Sequence, residues 1–479
     1  MPSAIGTTLT AGTFDLRPPA WIVNAGRTLA VLMPIVVWLL PLNLDRAAQG
    51  AFAISSGIIT AWIFQAYDHA IVGLIGCYLF WVLNIVDFRT AFHGFSNTTP
   101  WFLFGAMLFG MMATKSGLAK RLAFMVMRAV GHSYSRLLLG VILSDFLLTF
   151  LVPSGIARVV LMAAVALGLM EAFGLGPGSN VGRGMFIILT YTATIFDKMI
   201  IAGAASITAR GLIEKFGQVD VLWSRWFIAY LPCDIITIFV AWRLVLWMYP
   251  PERAELPRGS EYLSDELKKM GPWSVLERKS ALLMSAAILL WMTDFIHGIS
   301  PAMIGLGVGL FATLPRLGVL EVEDVKKLSY LPIFFVAAAI SMSEVLRHTK
   351  ALDVLSNLLI AWIEPFMHNL FSSTFILYWT AFVYHIFLGD EVSMLSTSIP
   401  VLMNFALAHG FNPLTLGMIW TFAAGGKIFV YQSAVLVVGY SYGYFDGKDM
   451  LKIGFALTVV ESLILLILVP LYWPMIGLS

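Results

Sequence analysis

The chain has 479 residues, of which 59% are hydrophobic and only 12% charged, with a mean hydropathy of +0.85. A soluble domain carries roughly 25% charged residues, so the composition excludes a water-soluble globular protein and makes lipid the solvent. A formal net charge of +2 gives no footing for a nucleic-acid partner. Cys77 and Cys233, both in apolar runs, are read as inert buried thiols and exclude a disulfide framework or a thiolate metal centre.

The first 20 residues have no basic segment running into an apolar core and cleavage site, so no removable leader is expected. Apolar runs then fall at 28–43, 49–65, 70–86 and 101–114, at 137–172, 185–211 and 227–247, at 280–296, 299–314 and 331–346, and at 375–410, 414–440 and 452–477. One crossing needs about 20 residues, so 137–172 and 375–410 are too long for one span. Each is interrupted, the first at Pro153-Ser154-Gly155 and the second at Glu391 through Ser398. Both are read as re-entrant hairpins, tolerated in a bilayer where the irregular tip is enclosed by protein or lines a cavity.

Two basic clusters set the orientation: Lys115, Lys120, Arg121, Arg128 and Arg136, then Arg253, Arg258, Lys268, Lys269, Arg278 and Lys279. The positive-inside rule makes both cytoplasmic. Counting crossings between them then requires 137–172 to be a hairpin and brings the second hairpin in from the opposite face. The expected fold class is an all-α polytopic membrane protein of inverted repeats, with about 11 spans plus two hairpins. Each repeat holds a re-entrant hairpin followed by a broken transmembrane helix, which is the plan of secondary transporters. The N-terminus is expected in the cytoplasm and the chain in the plasma (inner) membrane.

Chemistry is expected where tips and breaks meet, because freed amides and helix N-termini there suit an anion. At the tips stand Val152 through Arg158 and Val392 through Thr397, giving Ser154, Gly155, Ile156, Arg158, Ser393, Met394, Ser396 and Thr397 as candidate substrate contacts, with Ser206 and Ser433 beside the breaks. Arg158 either presents its fork to an oxyanion or ties the hairpin to Asp145 or Glu171. Thr194 through Met199 and Ala424 through Ile428 place Asp197, Lys198, Gly426 and Lys427 inside apolar segments. Intramembrane charge costs about 2.5–3.5 kcal/mol at helix centre, so such residues are functional candidates. Asp390 and Glu391 bind a cation or sit in a wet cavity. No Cys/His metal spacing, Gly-x-Ser-x-Gly or phosphate loop appears, so no enzyme and no metal or other cofactor is expected. His93, His132, His297 and His348 read as loop or interface residues, and the 15 tryptophans as an interfacial belt.

From about residue 90 onward the sequence resembles the divalent anion/sodium symporter family, and within it the bacterial 2-oxoglutarate/malate and citrate type permeases. The likeness rests on Ser116-Gly117-Leu118-Ala119-Lys120-Arg121-Leu122-Ala123 and on Pro153-Ser154-Gly155-Ile156-Ala157-Arg158, where the family typically reads Pro-Ser-Asn-Thr-Ala-Arg. Trp223-Ser224-Arg225-Trp226-Phe227, Gly271-Pro272-Trp273-Ser274 leading to Glu277, Gly439-Tyr440 and Lys448-Asp449-Met450 extend it.

The resemblance implies a homodimer with an elevator-type transport domain and a small organic anion, a di- or tricarboxylate or sulfate, held by the tips. Residues 1–136 would be scaffold, 137–226 the first transport repeat, 227–374 connecting and scaffold helices with the loop at 250–280, and 375–479 the second transport repeat and last helix. In the family, Ser-Asn-Thr at each tip contacts substrate and helps hold sodium. Here Gly155 and Ile156 replace Asn and Thr, while Met394 and Leu395 follow Ser393. Sodium prefers oxygen donors, so lost oxygens imply lost sodium sites. The expectation is sodium-independent anion exchange with Lys198 and Lys427 in place of the ions. A sodium-coupled symporter and an anion channel are the alternatives.

Overall fold

The computed structural model describes residues 20–42, 44–131, 133–252 and 259–478. His132, Arg253, Arg258 and the first 19 residues, with the readings made of them, lie outside these. Among the described residues all regular structure is helical. Eight of the described helices are long and apolar enough to cross a membrane, or nine if Thr98–Ser116 and Leu118–Val130 form one span bent by 71°. His69–Val82, Pro301–Phe311 and Pro413–Ala423 are shorter apolar helices. The 71° bend sits at Gly117, whose φ of +81° ends the first helix in the left-handed region that glycine adopts without Cβ strain.

Beyond the bend, Arg121 is buried and joins the two basic clusters on one face. Its Nε donates to Glu277 Oε1 at 2.6 Å, and its Nη1 and Nη2 donate to the Gly271 and Met270 carbonyls at 3.0 and 3.2 Å. Lys115 reaches the same face, where Asp324 Oδ2 lies 2.5 Å from its Nζ.

The first hairpin consists of Tyr134–Thr149 and Gly155–Phe173. Pro153 supplies no N–H at the turn, and the Ser154 hydroxyl restarts the helix by accepting from the Ala157 N–H at 3.3 Å. Its far end returns to the basic face, where Gly168 packs on the Tyr262 ring. The second hairpin consists of Leu370–Phe387 and Glu391–His409. Its turn is 388–390, not the stretch from Glu391 to Ser398 expected from polarity. Those residues already form the first turns of the returning helix. Thr397 and Ser398 donate to carbonyls four residues back, at 2.9 Å to Ser393 and 2.6 Å to Met394, so their hydroxyls are satisfied without breaking it.

Each hairpin is followed by an interrupted helix, Asn180–Met199 with Ala204–Gly217, and Pro413–Ala423 with Ala434–Ser441. Carbonyls freed at a break need donors in a bilayer. Trp226 Nε1 donates to Lys198 O at 3.1 Å, Trp223 Nε1 to Ile201 O at 2.9 Å, and the Ser206 hydroxyl to Ile200 O at 2.7 Å. Tyr191 serves the second break by donating to Lys427 O at 2.5 Å. Trp223, Trp226 and Trp420 are fully buried, so they belong to these breaks and the core and not to an interfacial belt. Thr98–Ser116 and Leu331–His348 flank the repeats, with Gly110 against Pro153 and Gly211 against Thr99.

Candidate functional site

The two tips and the two breaks converge on one cavity of about 1020 Å³. Val152 to Ala157 and Asp390 to Val392 line it from the hairpins; Asp197, Ala204, Ala205 and Ser433 to Val435 line it from the broken helices. Leu103 to Lys115, Leu331 to Phe335 and Asp68 to Ala70 supply more of the wall, and Asp324 and Lys327 line it on the face of the basic clusters. Four helices therefore begin at this cavity, at Gly155, Ala204, Glu391 and Ala434. Each N-terminus presents partial positive charge, a setting for an anion that needs no bulk charge. Three are capped by side chains, from Ser154, Asp390 and Ser433; Gly203 offers none.

Each tip is tied to its break by a buried ion pair, and the polarity reverses between repeats. In the first repeat the cation is on the hairpin. Arg158 is fully buried, with Nε 2.9 Å from Asp145 Oδ1 and Nη1 2.9 Å from Asp197 Oδ1. It also donates to the Val152 carbonyl at 2.9 Å and the Ala193 carbonyl at 2.7 Å. In the second repeat the cation is in the break, where Lys427 Nζ donates to Glu391 Oε2 at 2.9 Å.

The family description "Sodium:sulfate symporter transmembrane region" matches residues 23–479. The chain belongs to this family. It is a multi-pass membrane protein of a transporter family and not an enzyme. It is similar to the L-tartrate/succinate antiporter of Shigella dysenteriae, at 24% identity over 93% of this chain and 96% of that protein. The L-tartrate/succinate antiporter of Escherichia coli K12 is 23% identical over the same shares. A membrane protein of Cupriavidus necator is 24% identical over 94% of this chain and 91% of its own. These names differ from the 2-oxoglutarate/malate and citrate permeases to which the sequence motifs pointed. The crystal structure of the Alcanivorax borkumensis YdaH transporter has the same fold, with a TM-score of 0.57 at 14% identity over 95% of this chain and 97% of that one.

Within this member of the family, the residues singled out from sequence divide into two groups. Ser154, Gly155, Ile156, Asp197 and Ser433 line the cavity. Arg158, Ser206, Ser393, Met394, Ser396 and Thr397 stand behind its wall, all buried. Ser393 binds Asp390 through both its amide and its hydroxyl at 2.8 Å, and Ser206 is spent on the first break. Gly426 packs between Phe382 and Thr458.

Lys198 does not serve its own break. Its side chain crosses to the second one, where the ammonium lies against Gly425 and 5.7 Å from the Phe422 ring centroid. The cation at the first tip is Arg158 instead. Sequence reasoning passed over Asp234, His385 and Glu461, which are buried around the breaks with polar atoms lacking a hydrogen-bond partner. Their signal was present: each is an ionisable residue inside an apolar run.

Proposed function

We propose that this protein is a sodium-independent exchanger of small dicarboxylates of the succinate and tartrate type. The observation that carries the reading is that a protein cation already occupies the second tip-to-break junction, where Lys427 sits on Glu391. At the first, Arg158, an arginine that the family motif shares, holds the carbonyls of Val152 and Ala193 and the carboxylates of Asp145 and Asp197. A mobile sodium ion would want the same oxygens. A tethered cation cannot be released with the substrate, so the carrier returns only when loaded with another anion.

The names of the antiporter relatives support this choice of chemistry. The anion would lie among the four helix N-termini, touching Ser154, Gly155 and Ser433, while Arg158, Lys427 and Lys198 act from behind. On this reading the segments 137–226 and 375–479 move as an elevator against 1–136 and 227–374, in a homodimer whose basic face is cytoplasmic.

Proteoliposomes loaded with succinate and given labelled succinate, tartrate, malate or sulfate outside test it. Uptake should require internal dicarboxylate and be indifferent to sodium. Sodium-driven uptake into empty vesicles would sink the exchanger reading and restore a symporter.

A further inference from the structure

The wall of the cavity holds more negative charge than its own cations balance, and the excess is located. In the second repeat one carboxylate, Glu391, meets one ammonium, Lys427, at 2.9 Å. In the first repeat two carboxylates share one guanidinium. Asp145 takes Arg158 Nε at 2.9 Å and Asp197 takes Nη1 at 2.9 Å. Asp145 Oδ2 is buried without a hydrogen-bond partner, and Asp197 Oδ1 meets Arg158 Nη1 at 2.9 Å as an ion pair outside hydrogen-bond geometry, so one guanidinium does not fully serve both acids.

The two acids differ in access. Asp145 is enclosed, with 1% of its side chain exposed, whereas Asp197 is 13% exposed and borders the cavity. Gly155 and Gly203 leave its carboxylate room, because a Cβ at either position would collide with it.

The charged groups around Asp197 come from three packed elements and its own. They are Arg158 on Gly155–Phe173, Asp145 on Tyr134–Thr149, Glu391 on Glu391–His409, and the adjacent Lys198. Lys198 points its ammonium to the other break. An incoming dianion therefore meets a carboxylate whose paired cation, Arg158, is shared.

We propose that Asp197 is a proton-binding site on the wall of the substrate cavity, and that a dicarboxylate binds there together with one proton. The proposal rests on the dicarboxylate reading above. Like charge at close range favours the neutral acid, and by linkage whatever the anion does to the proton's affinity the proton does to the anion's. The proton goes onto a carboxylate oxygen of Asp197, Arg158 is left paired one to one with Asp145, and the net charge brought in by a dianion falls by one. Exchange of two dicarboxylates then carries matching protons both ways, whereas entry of an anion without its proton is disfavoured.

The test uses the full-length protein in detergent, weakly buffered, with a pH indicator dye, at a pH above neutral where free succinate is fully ionised and has no proton to give. Adding succinate should alkalinise the medium by one proton per site. The succinate Kd should rise about tenfold per pH unit through the alkaline range, as a single linked proton requires. In D197N the alkalinisation should vanish and the Kd should become flat with pH. D145N, which leaves Arg158 and Asp197 paired one to one, should also lose the linked proton, and it serves should D197N fail to fold. Wild-type binding of succinate without alkalinisation, or D197N alkalinising as wild type does, overturns the proposal while leaving the dicarboxylate reading standing. A wild-type protein that binds neither succinate nor tartrate overturns that reading and this proposal with it.

Discussion

Lys427 Nζ lies 2.9 Å from Glu391 Oε2, with the lysine wholly enclosed and the glutamate reaching the cavity. This contact joins the second tip to the second break, so it both fixes the site and neutralises two charges inside the membrane. Removing one partner of such a pair leaves the other uncompensated, a loss of about 3–5 kcal/mol. K427M should therefore lower the thermal unfolding temperature markedly and abolish exchange. The double variant E391Q/K427M should recover most of the stability but not the transport. Fluorescence-detected thermal unfolding of the purified variants decides this, and a single variant as stable as wild type would refute the structural role.

A second pair sits at the end of Leu331–His348 opposite the residues that line the cavity. Lys215, at the end of Ala204–Gly217, lies 2.9 Å from Glu344 on Leu331–His348, and Glu344 also holds Arg347 at 2.5 Å. If the repeat moves against Leu331–His348, this contact must break before the cavity can open on that side. E344Q should shift the resting population toward that opening by about tenfold, the effect of losing about 1.4 kcal/mol. A cysteine at Ser154, labelled by a membrane-impermeant maleimide from that side, reads the shift. Unchanged labelling would show that the pair does not hold the closed face.

The hairpins and breaks were legible in the sequence because helix breakers and charges inside apolar runs have few physical explanations. Pro153 and Lys427 announced their elements for that reason. What stayed hidden was the reach of side chains. Lys198 and Lys427 occupy corresponding repeat positions and are expected from the sequence to stand in place of the two sodium ions. Yet Lys198 crosses to the second break, while Arg158, read evenly as a substrate fork or a tie, forms the tie. Position along a chain gives depth in the bilayer but not the direction of a long flexible side chain. The polar stretch from Glu391 to Ser398 misled for a related reason: serine and threonine satisfy themselves on their own helix, so polarity there marked a helix start and not its interruption.

Arg121 offers a prediction on stability alone. Its guanidinium is buried against Glu277 at 2.6 Å and caps carbonyls of the connector at Met270 and Gly271. R121M leaves Glu277 without its cation, though still accepting from the Ser274 N–H at 2.6 Å, and leaves the two carbonyls unserved; it should lower the unfolding temperature without changing which anions are exchanged. R121K, which keeps charge but loses the planar fork, should fall between. Equal stability of R121M and wild type would show that the connector is held by other contacts.

Gly425 and Lys198 compete for one place. A Cβ at residue 425 would fall on the Lys198 ammonium, so the close packing of the first repeat's lysine into the second repeat's break depends on that glycine. G425A should destabilise by about 1–3 kcal/mol, the usual range for overpacking, and should displace the ammonium from Phe422 and from the electrostatic reach of Glu461. K198M at an intact Gly425 removes the charge instead, and exchange should be lost or become sodium-dependent. The discriminating variant is G425A/K198A. With the long side chain gone the added methyl has room, so the double variant should be more stable than the sum of the two single changes predicts, a coupling measurable by thermal unfolding in a double-mutant cycle. Strict additivity would mean that the lysine does not occupy the space beside Gly425, and that the two breaks are not joined through it.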